Sequence, residues 1–233
     1  MLGLARAASA ETSAHAAEAD PKARAKCLAT KSLEATPFCE AALTARADDR
    51  GVLKHYAWVM LSHNMEESSI RLFQRLVALD PENADAHFQL AAAQATMFNY
   101  AQAESAIRTA LHLRPHHLPS HRLAGIVYEH LGLDELAFST HMVLARAGLR
   151  TGMFDLAMDF QYGRGTAQDG KRARDWYEAA AAEGHVAAMD MLAEGHRNGL
   201  FGEPDNDAAE AWQQRAKDER GYWPPLLGPG REG

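Results

Sequence analysis

The sequence predicts an all-α protein built from repeated helical hairpins. Its 233 residues are rich in alanine and poor in strand-forming residues, a composition that favours helix throughout. The chain also repeats itself, with a period of 34 residues up to about residue 151 and a period of 36 residues after it. Periods of this length are typical of helix–turn–helix units that stack on one another.

The 34-residue period is clearest between Pro81 and Pro115. Small residues recur between these prolines, where two antiparallel helices would approach each other closely, and large apolar residues fill the seam. The small residues are Ala91, Ala103 and Ala110, and the large ones are Leu90 and Ile107. Pro115 is expected to end the second helix, because proline lacks an amide donor and disfavours helical geometry at the preceding residue.

This pattern resembles the tetratricopeptide repeat. In-frame copies span 50–83, 84–117 and 118–151, and a degenerate copy spans 16–49. The copy at 118–151 departs from the pattern late, because His141 occupies a position where a large apolar residue is expected.

The 36-residue period relates Trp176 to Trp212, and it also relates glycines, aspartates and alanines at matching offsets. This stretch resembles the Sel1-like repeat, a second helical-hairpin family with a longer, glycine-containing loop. The first copy, 152–187, is nearly complete, and the second, 188–223, is weaker. Trp176 and Trp212 are expected to be buried against the partner helix of each hairpin.

Together the two resemblances imply a right-handed α-solenoid of about six hairpins. The predicted organisation has four parts. They are a disordered terminus or signal-peptide remnant (1–15), a tetratricopeptide-like solenoid (16–151), two Sel1-like repeats (152–220) and a flexible Pro/Gly tail (221–233).

Composition excludes several classes of function. The formal net charge of −7 argues against bulk electrostatic binding of nucleic acid. No apolar run approaches the ~18–20 residues of a membrane span, and two cysteines exclude a four-cysteine zinc site. Known hydrolase, metalloprotease and phosphate-loop motifs are absent from the sequence. We therefore predict a non-catalytic protein without a cofactor.

Histidine clustering raises an alternative, a metal-binding protein. The densest group is His112, His116, His117 and His121, and His117 and His121 have the i, i+4 spacing that can share a metal on a helix. The structural interpretation is favoured, because His116 and His117 fall in a turn between repeats and His121 occupies a position typical of an aromatic ring.

Cys27 and Cys39 lie on the two predicted helices of the first hairpin. They could form a disulfide in an oxidising compartment, or remain two small buried apolar residues in the cytoplasm. Ala8-Ser9-Ala10 has the form of a signal-peptidase site. The chain is therefore expected to be periplasmic or otherwise exported if its start is truncated, and cytoplasmic if it is not.

The resemblance implies an adaptor that binds a protein or peptide partner in the concave groove. In such repeats the first helix of each hairpin lines the groove. The candidate partner-binding residues are Lys54, Trp58, Leu61, Phe88, Arg122 and Ile126. Apolar anchors flanked by positive charge suit a partner segment with bulky apolar and acidic residues.

Three alternatives stay open at this point. The chain's own N-terminal segment could cover the aromatic residues of the groove. The binding surface could instead lie on the acidic last repeat, where 190–219 carries eight acidic and three basic residues. The protein could also be a structural subunit of a bacterial envelope assembly.

Overall fold

A computed structural model describes residues 21–221. Within them the chain forms twelve α-helices and one short 3-10 helix, with no strand. The helices are α1 (Pro21–Ala29), the 3-10 helix Leu33–Ala35, α2 (Thr36–Ala45), α3 (Arg50–Ser62), α4 (Glu66–Leu79), α5 (Ala84–Thr96), α6 (Tyr100–Leu113), α7 (Leu118–Leu131), α8 (Asp134–Arg146), α9 (Arg150–Tyr162), α10 (Gly170–Ala182), α11 (Val186–Arg197) and α12 (Asn206–Gly221).

The predicted all-α fold of stacked hairpins is confirmed. None of the helices between residues 21 and 221 has the length and apolar character needed to cross a bilayer. The predictions made for the 1–15 segment, including the Ala8-Ser9-Ala10 site, and for the tail from residue 222 onwards lie outside the described residues.

The chain divides into two compact units, and their boundary falls between Ser120 and His121, within α7. The first unit contains α1 to α6 and the second contains α8 to α12. This boundary differs from the place near residue 151 where the repeat period changes, because the hairpin of 118–151 groups mostly with the second unit.

Side-chain N-caps recur at the start of two helices in the first unit. The side chain of Asp49 accepts a hydrogen bond from the amide of Val52, and Asn83 does the same for Ala86. Such caps satisfy amide donors that have no partner inside the helix. They begin α3 and α5, the first helices of two successive hairpins.

Close helix contact in the first unit depends on small residues, as the repeat pattern predicts. Ala57, Ala91 and Ala103 are completely buried. Ser69 on α4 is also buried, and its hydroxyl donates to the carbonyl oxygen of Ala57 on α3 at 2.9 Å. The two helices therefore approach closely enough for a side chain of one to reach the backbone of the other.

A disulfide joins the first two helices. Cys27 on α1 and Cys39 on α2 are bonded through sulfur, their Cα atoms lie 4.8 Å apart, and both residues are fully buried. Of the two alternatives that the sequence leaves open for these cysteines, the structure contains the bridge.

Tyr177 on α10 lies at the centre of the second unit. It is fully buried, and its hydroxyl donates to Oε1 of Gln161 at 2.6 Å. Gly152 near the start of α9 allows that helix to lie directly against α8, since a Cβ there would meet Cβ of Leu144 at 2.3 Å. The second core therefore combines the buried rings of Tyr177 and Phe160 with many small residues that let the helices pack closely.

Trp176 and Trp212 pack against the core as predicted, but they are less deeply buried than expected. Both are only partly buried, and they pack at the edge of the core that surrounds Tyr177. Trp212 also lies beneath the guanidinium of Arg215, whose carbon is 5.2 Å from the ring centroid. In the first Sel1-like copy the fully buried aromatic is therefore Tyr177, the residue after the tryptophan.

Candidate partner-binding site

Helix α3 presents three of the predicted partner-binding residues. Lys54, Trp58 and Leu61 are spaced by four and three residues, which places them on one side of the helix. Lys54 is exposed, Trp58 keeps 50% of its surface exposed, and Leu61 is half-buried. The opposite side of α3 is anchored in the core by Val52, Leu53, Tyr56, Val59 and Met60.

A pocket of about 400 Å³ opens beside Trp58. Its lining combines one aromatic and one aliphatic side chain with a small number of polar groups: Lys31, His55, Trp58, Val59 and Ser62. Nε2 of His55 lies 2.8 Å from the carbonyl oxygen of Thr30, so this ring ties α3 to the end of α1. A mostly apolar concavity with a few polar groups is the usual form of a ligand site.

Two lysines lie at or near this pocket. Lys31 lines it and Lys54 lies on the same side of α3 as Trp58. Neither lysine forms an ion pair within the described part of the chain. Lys31 was missed in the sequence because the first repeat is degenerate, and a basic residue in its inter-helix turn carries no repeat signal.

Phe88 occupies a different environment from Trp58. It is half-buried on α5, and its ring meets that of His117 edge-on with the centroids 5.4 Å apart. It does not line the pocket beside Trp58. Trp58 is therefore the more accessible of the two aromatic residues predicted in the first unit.

The four clustered histidines extend from the end of α6 through the following turn into α7. Nδ1 of His117 is 2.7 Å from the hydroxyl of Ser120, within the turn at the start of α7. Across residues 21–221, no group of three or more His, Cys, Asp or Glu side chains is placed to hold a metal ion. The geometry of the described residues therefore gives no support to the metal-binding alternative for His112, His116, His117 and His121.

Arg122 and Ile126, the other two predicted binding residues, line a separate pocket in the second unit. This pocket measures about 130 Å³. Ile126 is 49% exposed and Arg122 is exposed. The remaining lining residues are Gly125 and Glu129 of α7, His141 and Leu144 of α8, and Thr151 and Asp155 of α9.

An ionic network centred on the buried pair of His141 and Asp159 adjoins this second pocket. Nδ1 of His141 is 2.7 Å from Oδ2 of Asp159, and both side chains are nearly inaccessible. Arg164 approaches the other carboxylate oxygen of Asp159 at 3.3 Å and Glu129 at 3.6 Å. The sequence signal for this network was His141 itself, a polar side chain at a position of the repeat that is normally apolar.

The network shifts two pKa values. Burial lowers the pKa of His141, but the hydrogen bond and charge of Asp159, with the charges of Asp155 and Glu129, outweigh burial and raise it above its ordinary value. Burial raises the pKa of Asp155 to about 6. His141 and Arg164 oppose this shift, and the carboxylates of Glu129 and Asp159 add to it.

Comparison with solved structures shows two groups of similar folds. MamA (residues 41 to the end) from Desulfovibrio magneticus RS-1 covers 75% of this chain and 97% of its own, with 16% identity and a TM-score of 0.62. YrrB, described as a TPR protein with an unusual peptide-binding site, covers 79% and 93%, with 16% identity and a TM-score of 0.62. A Sel1 repeat protein from Oxalobacter formigenes covers 84% and 79%, with 18% identity and a TM-score of 0.51.

These likenesses show the fold. The chain is similar both to TPR proteins and to Sel1-like repeat proteins, in agreement with the two repeat patterns of its sequence. No protein-family model matches the sequence, and no curated protein matches it significantly.

Proposed function

We propose that this helical-repeat chain, whose fold is that of TPR and Sel1-like repeat proteins, is a non-catalytic scaffold that binds a peptide or partner chain beside Trp58. The observation that carries the proposal is the half-exposed indole of Trp58 at the edge of a pocket of about 400 Å³. Tryptophan is enriched among the residues that dominate binding energy at protein interfaces.

The charge around the pocket indicates the partner's chemistry. Lys31 and Lys54 are not neutralised by an ion pair within residues 21–221, although the chain as a whole is acidic. A partner segment with a bulky apolar side chain and nearby Asp or Glu would fill the pocket and meet both lysines. YrrB, which has a similar fold, is described as having a peptide-binding site, and this supports the same use of the fold here.

The disulfide between Cys27 and Cys39 supports a location for this scaffold. Disulfides persist in oxidising compartments and are rare in the cytoplasm. The scaffold is thus proposed to work outside the cytoplasm. The same location is compatible with the alternative role, a structural subunit of an envelope assembly.

The test is selection of peptides from a random displayed library on the wild-type chain. Enriched peptides should carry a large apolar residue with adjacent Asp or Glu. The double variant Trp58→Ala, Phe88→Ala should weaken the best peptide at least about 30-fold, as expected for lost anchors. Phe98→Ala is the matched control, because Phe98 is an exposed aromatic of the same unit that lies in the α5–α6 turn.

Circular dichroism and the melting temperature of the double variant should stay close to wild type. Unchanged peptide affinity in a folded double variant would place the binding surface elsewhere. Capture from the native host, with crosslinking, would then separate the two roles: a partner retained at fixed stoichiometry would indicate a structural subunit, and peptides selected by sequence would indicate an adaptor.

A further inference from the structure

The turn between α5 and α6 displays an aromatic ring to solvent. Phe98 keeps 76% of its surface exposed, and its ring meets that of Tyr100 edge-on with the centroids 6.2 Å apart. Met97, the preceding residue, and Met65 in the α3–α4 turn are also exposed. An exposed apolar patch of three side chains therefore lies at the turns of the first unit.

The backbone at Phe98 is strained. Its φ angle is +58°, in the left-handed region that a bulky side chain rarely adopts. Asn64 and Gly132 occupy the same place one repeat earlier and one repeat later, with φ angles of +56° and +66°. Asparagine and glycine adopt this conformation more readily than phenylalanine. The repeat thus needs a left-handed residue here but not an aromatic one, and strain of this kind clusters at functional positions.

Negative charge lies beside this turn. Met97 and Met65 line one concavity together with Glu66 and Glu67 at the start of α4. Arg71 approaches Glu67 at 3.9 Å, but both side chains are exposed and such a pair contributes little. Glu66 forms no ion pair within residues 21–221. A bulky apolar side chain and carboxylates therefore occur together at this edge of the chain.

The pocket beside Trp58 has the complementary features. Its space of about 400 Å³ is open beside a half-exposed indole, Lys31 lines it, and Lys54 lies on the same side of α3 as Trp58. Phe98 belongs to the same compact unit but does not line this pocket. The ring of one copy therefore does not fill the pocket of the same copy.

We propose that the pocket beside Trp58 binds the Phe98 turn of a second copy of this chain. The Phe98 ring would pack against the Trp58 indole, since aromatic rings attract one another in offset and edge-on arrangements. The carboxylates at the start of α4 in one copy would then approach the two lysines of the other. Because ring and pocket occupy different places on each copy, the contact is heterologous and copies add head to tail.

This self-association rests on the proposed function, because it names the partner chain for the same pocket. A peptide selected through Trp58 should therefore compete with the second copy and return the associated chain to monomers. Association should also weaken as salt is added, since salt screens the attraction between exposed charges.

The test is sedimentation velocity of the full-length wild-type chain from about 10 μM to about 500 μM. We expect the average mass to rise with concentration above that of the monomer. Phe98→Gly and Trp58→Ala should each weaken association at least about tenfold. An equimolar mixture of the two variants should form a heterodimer and nothing larger, because one variant supplies the ring and the other supplies the pocket.

The choice of glycine at position 98 separates binding from folding. Glycine adopts the left-handed conformation freely, so Phe98→Gly should melt no lower than wild type. Leu136→Ala is the matched control, because it removes another exposed large apolar side chain, on α8 of the second unit. This control should leave association unchanged.

Carbodiimide crosslinking locates the contact, with heavy-nitrogen labelling of half the copies to distinguish links between copies from links within one. We expect links between copies that join Lys31 or Lys54 to Glu66 or Glu67. Links from Lys31 to residues 1–20 of the same copy would instead identify the N-terminal segment as the occupant of the pocket, and the proposal would be wrong.

Three other outcomes would overturn the proposal. They are a wild-type chain that stays monomeric at about 500 μM, a mixture of the two variants that does not pair, and equal losses of association in Leu136→Ala and Phe98→Gly.

The two proposals can fail separately. If selected peptides depend on Trp58 but the wild-type chain stays monomeric, only the self-association is wrong. If the two variants pair as expected and no selected peptide depends on Trp58, the role as a peptide adaptor is wrong and the self-association stands.

Discussion

His141 Nδ1 and Asp159 Oδ2 lie 2.7 Å apart in a part of the second unit where both side chains are almost completely buried. The repeat pattern calls for an apolar residue at position 141, so the pair replaces an ordinary core contact. A buried polar pair contributes little net stability, but removing one partner is strongly destabilising, because the other is left buried without compensation.

Asp159→Asn is expected to destabilise the chain by about 2–4 kcal/mol at pH 5.5. The raised pKa of His141 means that the stabilisation is fully present below the ordinary histidine pKa and is lost as pH rises through the raised value. The loss on mutation should therefore be smaller at pH 8.5. Urea unfolding at both pH values measures this, and equal losses at the two would contradict the role given to His141.

Asp155→Asn is expected to stabilise the chain at pH 7.5 by about 1–3 kcal/mol. The pKa of Asp155 is raised from 3.8 to about 6, so keeping this carboxyl ionised in the folded chain costs free energy. The cost develops as pH rises from about 4 to about 6, and the gain on mutation should vanish below pH 4.

Thermal melting at pH 3.5 and 7.5 checks this second prediction. Glu135→Gln, at an exposed site, should change the melting temperature little at either pH. A variant that is less stable than wild type at pH 7.5 would show that Asp155 has a structural partner.

Removal of the disulfide by the double variant Cys27→Ser, Cys39→Ser should destabilise the first hairpin by about 3 kcal/mol. The bridge closes a loop between cysteines 12 residues apart, and loop closure of this length restricts the unfolded chain by roughly that amount. Hydrogen exchange should accelerate in α1 and α2.

Amides of residues 121–221 should exchange as in wild type in this variant, because repeat proteins couple mainly between neighbours. Reduction of the wild-type chain is the matched treatment and should reproduce the pattern. Uniform acceleration throughout the chain would show that the two units unfold together.

Tyr177→Ala should cost about 3–5 kcal/mol, whereas Trp176→Ala should cost clearly less. Tyr177 is fully buried and donates to Gln161, but Trp176 is only partly buried at the edge of the core. Chemical denaturation of both variants compares them directly. A larger loss of unfolding free energy in Trp176→Ala than in Tyr177→Ala would show that the tryptophan contributes more to the core.

Much of the fold could be predicted from the sequence because the small residues and capping residues recur at fixed offsets. Helices begin at Arg50 and Ala84, 34 residues apart, as the repeat frame requires. The extent of burial of Trp176 and Trp212 could not be predicted, since a large residue that recurs at one offset marks a position in the repeat unit without showing how deeply that position is buried.

The two pockets were only partly predictable. Trp58 could be identified because the repeat frame fixes which positions of a first helix avoid the core. Asp155 could not be identified in this way. It lies just after the change of period, where neither repeat pattern shows which side of the helix the residue occupies. Only three-dimensional packing brings it into one pocket with Glu129 and His141.

The helix caps that recur one repeat apart have a consequence for how such a chain can change length. Asp49 and Asn83 cap first helices one 34-residue period apart, and Asp169 and Asp205 cap second helices one 36-residue period apart. Excising residues 169–204 would place Asp205 directly after Gln168, so the joined chain would keep a correct helix start. Tandem duplication of the same segment would give each added copy its own capped helix start. Whole repeats can therefore be added to or removed from this chain while every helix keeps its N-terminal cap.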